Sequence, residues 1–222
     1  MNKILLILLA IAIVMNSHLC SKSSYFHSES FKKSPEEIKQ YWIGWIRGKQ
    51  GICYYIDKKE TPHYIWWLNK KHATRIVNVT YNLCEKYEMP MGLILKQAWK
   101  ETRLKWFAKN NTKAGLENNI HGIMQHSLKY WSHELYYVQD KRFAKRLLAS
   151  TNVMQDYISL SKRIDVGMEM GIRIMKKKLK EHKKYDLALI AYWQGENTDV
   201  FRRSLWDHKY ATELHYVKEI KE

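Results

Sequence analysis

The chain has 222 residues, enough for one domain with an appendage and for a sizeable buried core. Its 38 Lys and Arg residues outnumber its 22 Asp and Glu residues, and the formal net charge is +16. Such a charge favours an anionic partner, and it does not distinguish among nucleic acid, acidic lipid and an anionic cell-wall polymer.

The N-terminus is apolar, with the sequence MNKILLILLAIAIVM. Lys3 precedes an uninterrupted apolar stretch from Ile4 to Met15. The stretch is short for a membrane span and fits the hydrophobic region of a secretory signal. An N-terminal core helix would instead show a polar face. We therefore expect export to the periplasm or cell envelope, which argues against nucleic acid as a partner.

The end of this segment allows two interpretations. Cleavage after Ser23 would leave small residues before the cut, whereas Cys20 stands where a lipoprotein cysteine would lie, after the poor lipobox NSHL. We assign residues 1–24 to a signal peptide or lipoprotein signal, with membrane attachment through the N-terminus in the second case. Cys53 and Cys84 then remain as a pair that fits a disulfide or two unpaired buried thiols.

Residues 25–75 are expected to form a linker and an N-terminal helical extension. In SPEEIKQYWIGWI, Ser34 is a helix N-cap, Pro35 is the first helical residue and Glu37 completes a capping box. An aromatic-rich region follows, which favours buried core over the alternative of a sugar-stacking wall. Its aromatic residues are Tyr41, Trp42, Trp45, Tyr54, Tyr55, Trp66 and Trp67.

One acidic residue lies at the end of a predicted apolar helix. A helix over about Ala73–Tyr87 is followed by one over about Met91–Lys105, in which Ile94, Ala98 and Glu101 share a face. Burial of Glu101 on that face should raise its pKa and make it a proton donor near neutral pH. The alternative is a surface Glu paired with a neighbouring basic residue.

The rest of the chain favours a mainly α fold. A polar loop precedes a helix predicted from about Ile120, and further helices are predicted over about Lys141–Ser150 and from Gln155 through GMEMGIRIMKKKLKEH. The last core helix is YDLALIAYW, with Asp186 near its start and Gly195 just past its end. We find no internal repeat and no alternating strand pattern.

Three stretches resemble the lytic transglycosylase SLT domain, a lysozyme-like family. LILKQAWKETRLKWFA resembles its Glu-Ser segment, with Thr102 in place of Ser. HGIMQHSLKYW resembles its Gly-Leu-Met-Gln motif, and LALIAYWQGENTDV its Ala-Tyr-Asn-Ala-Gly motif with Trp193 and Gln194 replacing Asn-Ala. The resemblance covers residues 76–205, which we assign to an SLT-like domain, and leaves residues 206–222 as a C-terminal tail.

The resemblance implies cleavage of the MurNAc–GlcNAc β-1,4 bond of peptidoglycan, with a 1,6-anhydro-MurNAc product. It implies a monomer that needs no metal and no cofactor. Glu101 would be the single catalytic acid and base, and the substrate-binding residues would be Thr102, Met124, Gln125 and Tyr192. The Tyr192 hydroxyl would point towards Glu101, and Met124 and Gln125 would contact the glycan.

Two other functions stay open. A hydrolytic muramidase on the same fold would need a second carboxylate, for which Glu117 and Glu196 are candidates. A non-catalytic peptidoglycan-binding envelope protein would have no need of Glu101. A zinc site is the weakest alternative, since His133 and Glu134 match only half of a zinc-protease motif, with Tyr137 where the second histidine should stand.

Overall fold

The computed structural model describes residues 33–56, 59–131, 133–134 and 153–221. This part of the chain is mainly α-helical, as the sequence predicts. The signal segment, most of the linker, and the helix predicted over Lys141–Ser150 lie outside it. The helices are α1 Pro35–Arg47, α2 Lys70–Tyr87, α3 Met91–Thr102, α4 Lys113–Glu117, α5 Leu128–Trp131, α6 Val153–Ser161, α7 Ile164–His182, α8 Tyr185–Gln194, α9 Asp199–Trp206, α10 His208–Glu213 and α11 His215–Lys221. In these ranges, no helix combines the length and the apolar character that crossing a membrane requires.

Helix α1 begins as its sequence predicts. The Ser34 hydroxyl accepts a hydrogen bond from the Glu37 backbone N–H, and the Glu37 carboxylate accepts one from the Ser34 backbone N–H. This reciprocal pair satisfies two of the N–H groups that a helix start leaves unpaired. The apolar face of α1, including the fully buried Ile46, then packs on α2.

The main core forms where α7 packs against α2 on one side and α8 on the other. Apolar stripes at helical spacing supply it, which is why the 3.6-residue pattern of the sequence predicts these helices well. Side chains from four helices have no exposed surface: Ile76, Val77, Leu93, Ile94, Leu95, Ala98, Met168, Ile172, Met175, Ala188, Leu189 and Ile190.

Two antiparallel hairpins interrupt the helices, although the sequence shows no strand pattern. The first pairs β1 Cys53–Ile56 with β2 Pro62–Tyr64, and the second pairs β3 Ile120–His121 with β4 His126–Ser127. All residues of β1 and β2 are exposed, so they carry no buried face to produce an alternating pattern. Cys53, in β1, is an exposed free thiol, and Cys84 in α2 is a buried free thiol.

The helix predicted from Ile120 is wrong over its first eight residues, where the second hairpin stands. Gly122 has φ +81, and a Cβ there would come within 2.2 Å of the Ser161 carbonyl oxygen. Gln125 also has positive φ, at 49°. The chain therefore turns tightly against the end of α6, and helical backbone resumes only at Leu128.

The C-terminal residues are part of the folded core rather than a tail. Helix α11 packs on α3 and α8, and its side chains Tyr216, Val217 and Ile220 are buried. At the end of α11, Lys221 Nζ lies 2.9 Å from an oxygen of Asp186, which is itself buried at the start of α8. Residues after Gly195 thus close the domain against the helix that carries Glu101.

Candidate active site

Glu101 lies in the last turn of α3, immediately before an abrupt helix end. Arg103 and Leu104 both adopt left-handed backbone, with φ of 56° and 60°, and their N–H groups donate to the carbonyls of Trp99 and Ala98. Buried Leu104 anchors this turn. Helix α3 therefore ends at Thr102, three residues before the position that apolar periodicity predicts. Two successive non-glycine residues in this conformation are strained, a feature that clusters at functional sites.

The Glu101 carboxyl is partly buried and its proton is held unusually tightly. Burial is the largest cause, and it raises the pKa of Glu101 from 4.5 to about 7. A hydrogen bond from Tyr216 and the positive charge of Lys100 act in the opposite direction. Lys100 is itself paired with Glu219, which reduces its pull on Glu101. The raised pKa agrees with the sequence-based expectation.

Tyr216 is the residue that sequence reasoning missed. Its hydroxyl donates to Glu101 Oε1 at 2.5 Å, and its ring stacks on Trp193 with 4.9 Å between ring centroids and 4° between planes. Burial raises the pKa of the Tyr216 phenol well above its ordinary value, and the charge of Glu101 adds to this rise, while fully buried Gln97, one turn before Glu101, acts in the opposite direction. The spacing of Tyr216, Val217 and Ile220 is the helical apolar signal that could have placed α11 in the core.

Tyr192 lies near Glu101 but does not hold it. The Tyr192 hydroxyl donates to the Met124 carbonyl at 2.8 Å, so the expected direct bond to the carboxyl is replaced by the one from Tyr216. The Glu101 charge still contributes to raising the pKa of Tyr192, which shows that the two groups are close. Tyr192 therefore fixes the turn beside Glu101 rather than the carboxyl itself.

Thr102 and Met124 also serve this turn. The Thr102 hydroxyl lies 2.9 Å from the Ile123 carbonyl oxygen and 3.2 Å from that of Ala98, so it ties the turn to α3. The Met124 side chain has no exposed surface and packs against Gly171 of α7. The expectation that this side chain contacts a glycan is corrected: it is a core residue, and only its carbonyl takes part in the site.

An open cleft of about 360 Å³ runs beside this cluster and contains Gln125. The Gln125 amide donates to the Gly122 carbonyl at 3.0 Å, which orients it in the turn. Glu101 does not line the cleft itself; its connection to the lining is Tyr216, stacked on Trp193. Most lining side chains are aromatic, apolar or neutral polar, and Lys178 is the one charged residue among the described ones. The lining comprises Ile120, Gln125, His126, Ser127, Tyr130, Trp131, Ile174, Lys178, Ala191, Tyr192, Trp193, Gln194, Gly195 and Asn197.

His126 lies in the cleft wall, and its ring nitrogens have no hydrogen-bond partner among the described residues. It is buried. Burial lowers its pKa to about 4, so the ring is neutral at physiological pH. A neutral imidazole has one donor and one acceptor nitrogen, and leaving both unpaired is costly.

The other candidate carboxylates have different surroundings. Glu117 is exposed on the short helix α4. Glu196 accepts from Lys178 Nζ at 2.6 Å and lies 2.8 Å from His182 Nε2, and these partners lower its pKa. Together with Glu181 and His182, Glu196 also forms a group of metal-ligand type, but the Lys178 ammonium already supplies positive charge there.

Glu134, from the partial zinc motif, forms an ion pair with an arginine of the protein. It accepts a hydrogen bond from Arg173 at 2.8 Å and is buried, whereas His133 is exposed and 3.6 Å from it. This arrangement is an ion pair between the segment after α5 and helix α7. It gives no support to the zinc alternative. Tyr137, which occupies the position of the second histidine in that motif, lies outside the described residues.

Comparison of the chain with protein-family models, with curated proteins and with solved structures gave no match in any of the three.

Proposed function

We propose that this protein is a peptidoglycan lytic transglycosylase with a lysozyme-like domain, in which Glu101 is the single acid and base. The observation that carries the proposal is the state of Glu101: a partly buried carboxyl with a pKa of about 7, held by Tyr216 beside an aromatic cleft. The order of the three SLT-like motifs along the chain is the second support.

The pKa of Glu101 suits a group that both gives and takes a proton. Near pH 7 about half of the molecules carry the proton, so the acid and the base form are both populated. An ordinary surface Glu would be almost fully ionised at that pH. The hydroxyl of Tyr216 holds one carboxyl oxygen and so fixes the orientation of the group.

The proposed reaction needs only this one carboxyl. Protonated Glu101 gives its proton to the glycosidic oxygen as the bond from that oxygen to C1 of MurNAc breaks. The resulting carboxylate takes the proton of the C6 hydroxyl of the same sugar as O6 bonds to C1. The products are an anhydro end and a free hydroxyl on the leaving sugar, with Glu101 protonated again. Intramolecular attack is efficient because the hydroxyl is already in place.

The cleft chemistry supports a carbohydrate ligand. Aromatic side chains such as Trp131, Tyr130 and Trp193 offer flat apolar surface, and Gln125, Gln194 and Asn197 offer neutral hydrogen-bonding groups. A pyranose ring presents both kinds of surface, apolar C–H faces and hydroxyl edges.

A hydrolytic muramidase is less well supported. Activation of water by a second carboxylate would place that group near Glu101, where its charge would raise the pKa of Glu101. Among the residues that the structure describes, the causes that act on Glu101 are burial, Tyr216 and Lys100, and none of these is a carboxylate. A non-catalytic binding protein would gain nothing from a buried carboxyl that destabilises the fold.

The proposal is tested by Glu101→Gln with purified sacculi. The amide keeps the shape of the side chain but cannot exchange a proton, and the release of soluble fragments should fall by about 10²- to 10⁴-fold. Glu117→Gln is the matched control, because it makes the same change at an exposed acid of a short helix, and it should release fragments at the parent rate. Turnover by Glu101→Gln within twofold of the parent would reject the proposal.

A further inference from the structure

The hairpin of β1 and β2 exposes an unusual amount of apolar side chain. Half of the large hydrophobic residues that are exposed in the described chain lie within fifteen positions of one another. We call them the hairpin surface: Ile52, Tyr54, Tyr55, Ile56, Tyr64 and Trp66. Clustered exposed apolar groups of this kind mark binding sites more often than isolated ones do.

Among the described residues, the hairpin is attached to the core through its base and through the Tyr54 ring, which packs edge-on against Trp67 with 5.4 Å between centroids. The Gly51 N–H donates to the Ile65 carbonyl at 2.7 Å, and the Ile65 N–H donates to the Ile52 carbonyl at 3.0 Å. Ile65 and Trp67 are each 1% exposed and hold this base in the core. The strands beyond the base bury none of their residues. Their side chains therefore contribute little to the core. We infer that they make contacts with a molecule outside the domain.

The rings of the hairpin surface are largely exposed, and two of them contact neighbouring rings. Trp66 is 67% exposed, and its ring centroid lies 6.0 Å from that of Phe107, with the planes tilted by 38°. Tyr55 lies 5.5 Å from the ring of His63 on the neighbouring strand. Lys105 lies over Phe107, with Nζ 4.9 Å from the ring centroid, and adds positive charge beside the rings.

This surface is joined directly to the segment that carries Glu101. The Trp67 indole N–H donates to the Arg103 carbonyl at 3.0 Å, and Arg103 is two residues beyond Glu101. Trp66 contacts Trp67, with 6.0 Å between ring centroids. The base of the hairpin surface and the end of α3 therefore lie next to each other in the fold.

We propose that the hairpin surface is a second glycan-binding site, which holds a peptidoglycan strand outside the cleft. The inference rests on the proposed function for the identity of the polymer. The apolar C–H face of a pyranose ring packs on an aromatic face. Burial of apolar surface and the negative face of the aromatic ring both favour this contact. Lys105, over the Phe107 ring beside Trp66, suits the carboxylates of the peptides that such strands carry.

A lipid surface fits the hairpin less well than a glycan. Between the two strands the sequence reads DKKET, which contains two acidic and two basic residues. Burial of carboxylates in a bilayer interface is unfavourable, whereas a glycan strand that packs along the rings does not require it.

The test measures binding separately from turnover. In the Glu101→Gln protein, Tyr55→Ala with Trp66→Ala should weaken pull-down on sacculi about tenfold, the combined effect expected for two stacking contacts. Trp206→Ala is the matched control: Trp206 is 90% exposed on α9, outside the hairpin surface, and its loss should leave binding unchanged. All three rings are mostly exposed, so melting temperatures should not move.

A second assay separates this site from the catalytic one. With Glu101 intact, the double variant should cleave a short soluble glycan at the parent rate but digest sacculi several-fold more slowly. Sacculus binding within twofold of the parent, or an equal loss with Trp206→Ala, would overturn the proposal. So would loss of binding to phosphatidylglycerol vesicles with sacculus binding retained, which would assign the surface to lipid. If Glu101→Gln kept its turnover, the proposed function would fail while the pull-down still decided the role of the hairpin.

Discussion

Tyr216 and Tyr192 are two buried phenols near one carboxyl, and their hydroxyls have different partners. The Tyr216 hydroxyl donates to Glu101, which favours the charged carboxylate and lowers its pKa against the stronger effect of burial. The Tyr192 hydroxyl donates to a backbone carbonyl. A Phe substitution at each position removes one oxygen, so the pair separates control of Glu101 from support of the turn.

Tyr216→Phe should change the pH dependence of kcat/KM, and Tyr192→Phe should not. The proposed reaction begins with protonated Glu101, so the rate should fall as pH rises through about 7. Loss of the Tyr216 bond raises the pKa of Glu101 further, and the alkaline limb should move to higher pH. The rate below that limb should fall roughly tenfold, because the carboxyl loses the contact that orients it.

Both tyrosine variants should lose about 1 kcal/mol of stability, the usual effect of one buried hydrogen bond. Stability alone therefore cannot distinguish them, and the pH–rate profile does. An alkaline limb that stays in place with Tyr216→Phe, or moves equally with Tyr192→Phe, would contradict the assignment of Tyr216.

Glu101→Gln should stabilise the folded protein at alkaline pH. The folded-state pKa of about 7 is above the ordinary 4.5, so the folded protein binds the proton more tightly than the unfolded chain does. Ionisation of Glu101 therefore costs stability progressively between pH 4.5 and 7, and the loss is complete above that range. It amounts to at most about 3 kcal/mol, from the size of the pKa difference.

The measurement is the free energy of unfolding of both proteins at pH 4 and at pH 8.5. Glu101→Gln should gain on the parent only at the higher pH. An equal difference at the two pH values would show that Glu101 has the same pKa in the folded and unfolded states.

At the scale of elements, the site depends on how closely the turn at residues 122–125 approaches α7. A Cβ at Gly171 would come within 2.4 Å of Met124 Cγ. Gly171→Ala should therefore push Met124 and the carbonyl that Tyr192 holds, and it should cost about 1–3 kcal/mol through overpacking. Activity should fall with it, because the turn also contains Gln125.

Gly44→Ala in α1 is the matched control for this prediction. A Cβ at Gly44 meets no atom within 4 Å, and Ala is favoured over Gly inside a helix by up to about 1 kcal/mol. Thermal unfolding should therefore show opposite shifts for the two glycine variants. A Gly171→Ala protein as stable and active as the parent would mean that α7 and the turn can separate without consequence.

The sequence predicted the main core helices from their apolar residues and from the residues that mark their ends, and it missed both hairpins and helix α11. Helix α1 was predicted through its caps, and α8 through Asp186 and Gly195 at its ends. The hairpin at residues 120–127 was missed because glycine and polar residues at a tight turn resemble the start of a helix. Helix α11 was missed because the motif resemblance ended at Leu205, although its own periodicity was readable.

The site was predictable to the same degree. Glu101 and its raised pKa follow from helical spacing, since a residue on an apolar stripe loses water on folding. The hydrogen-bond partner of the Glu101 carboxyl does not follow from the spacing, because Tyr216 is 115 positions away in the sequence and meets Glu101 only where α11 packs on α3. Met124 shows the opposite limit: its place in a motif suggested a surface role, and packing against Gly171 makes it core.

At the scale of the whole molecule, the proposed function uses three parts: an acid that is half-protonated at neutral pH, an aromatic cleft with neutral polar groups, and an exposed hairpin of aromatic side chains. The predicted export segment and the net charge of +16 fit an anionic polymer outside the cytoplasm. The central claim is that the polymer is cut by its own C6 hydroxyl, with no water entering the product.

Digestion of purified sacculi in water enriched in heavy oxygen, followed by mass spectrometry of the released muropeptides, tests this claim most directly. The account predicts MurNAc ends of the 1,6-anhydro form, lighter than reducing ends by one water and free of heavy oxygen. Glu101→Gln should release almost none of them. Reducing ends that carry heavy oxygen at C1 would show hydrolysis by solvent water and would contradict the account.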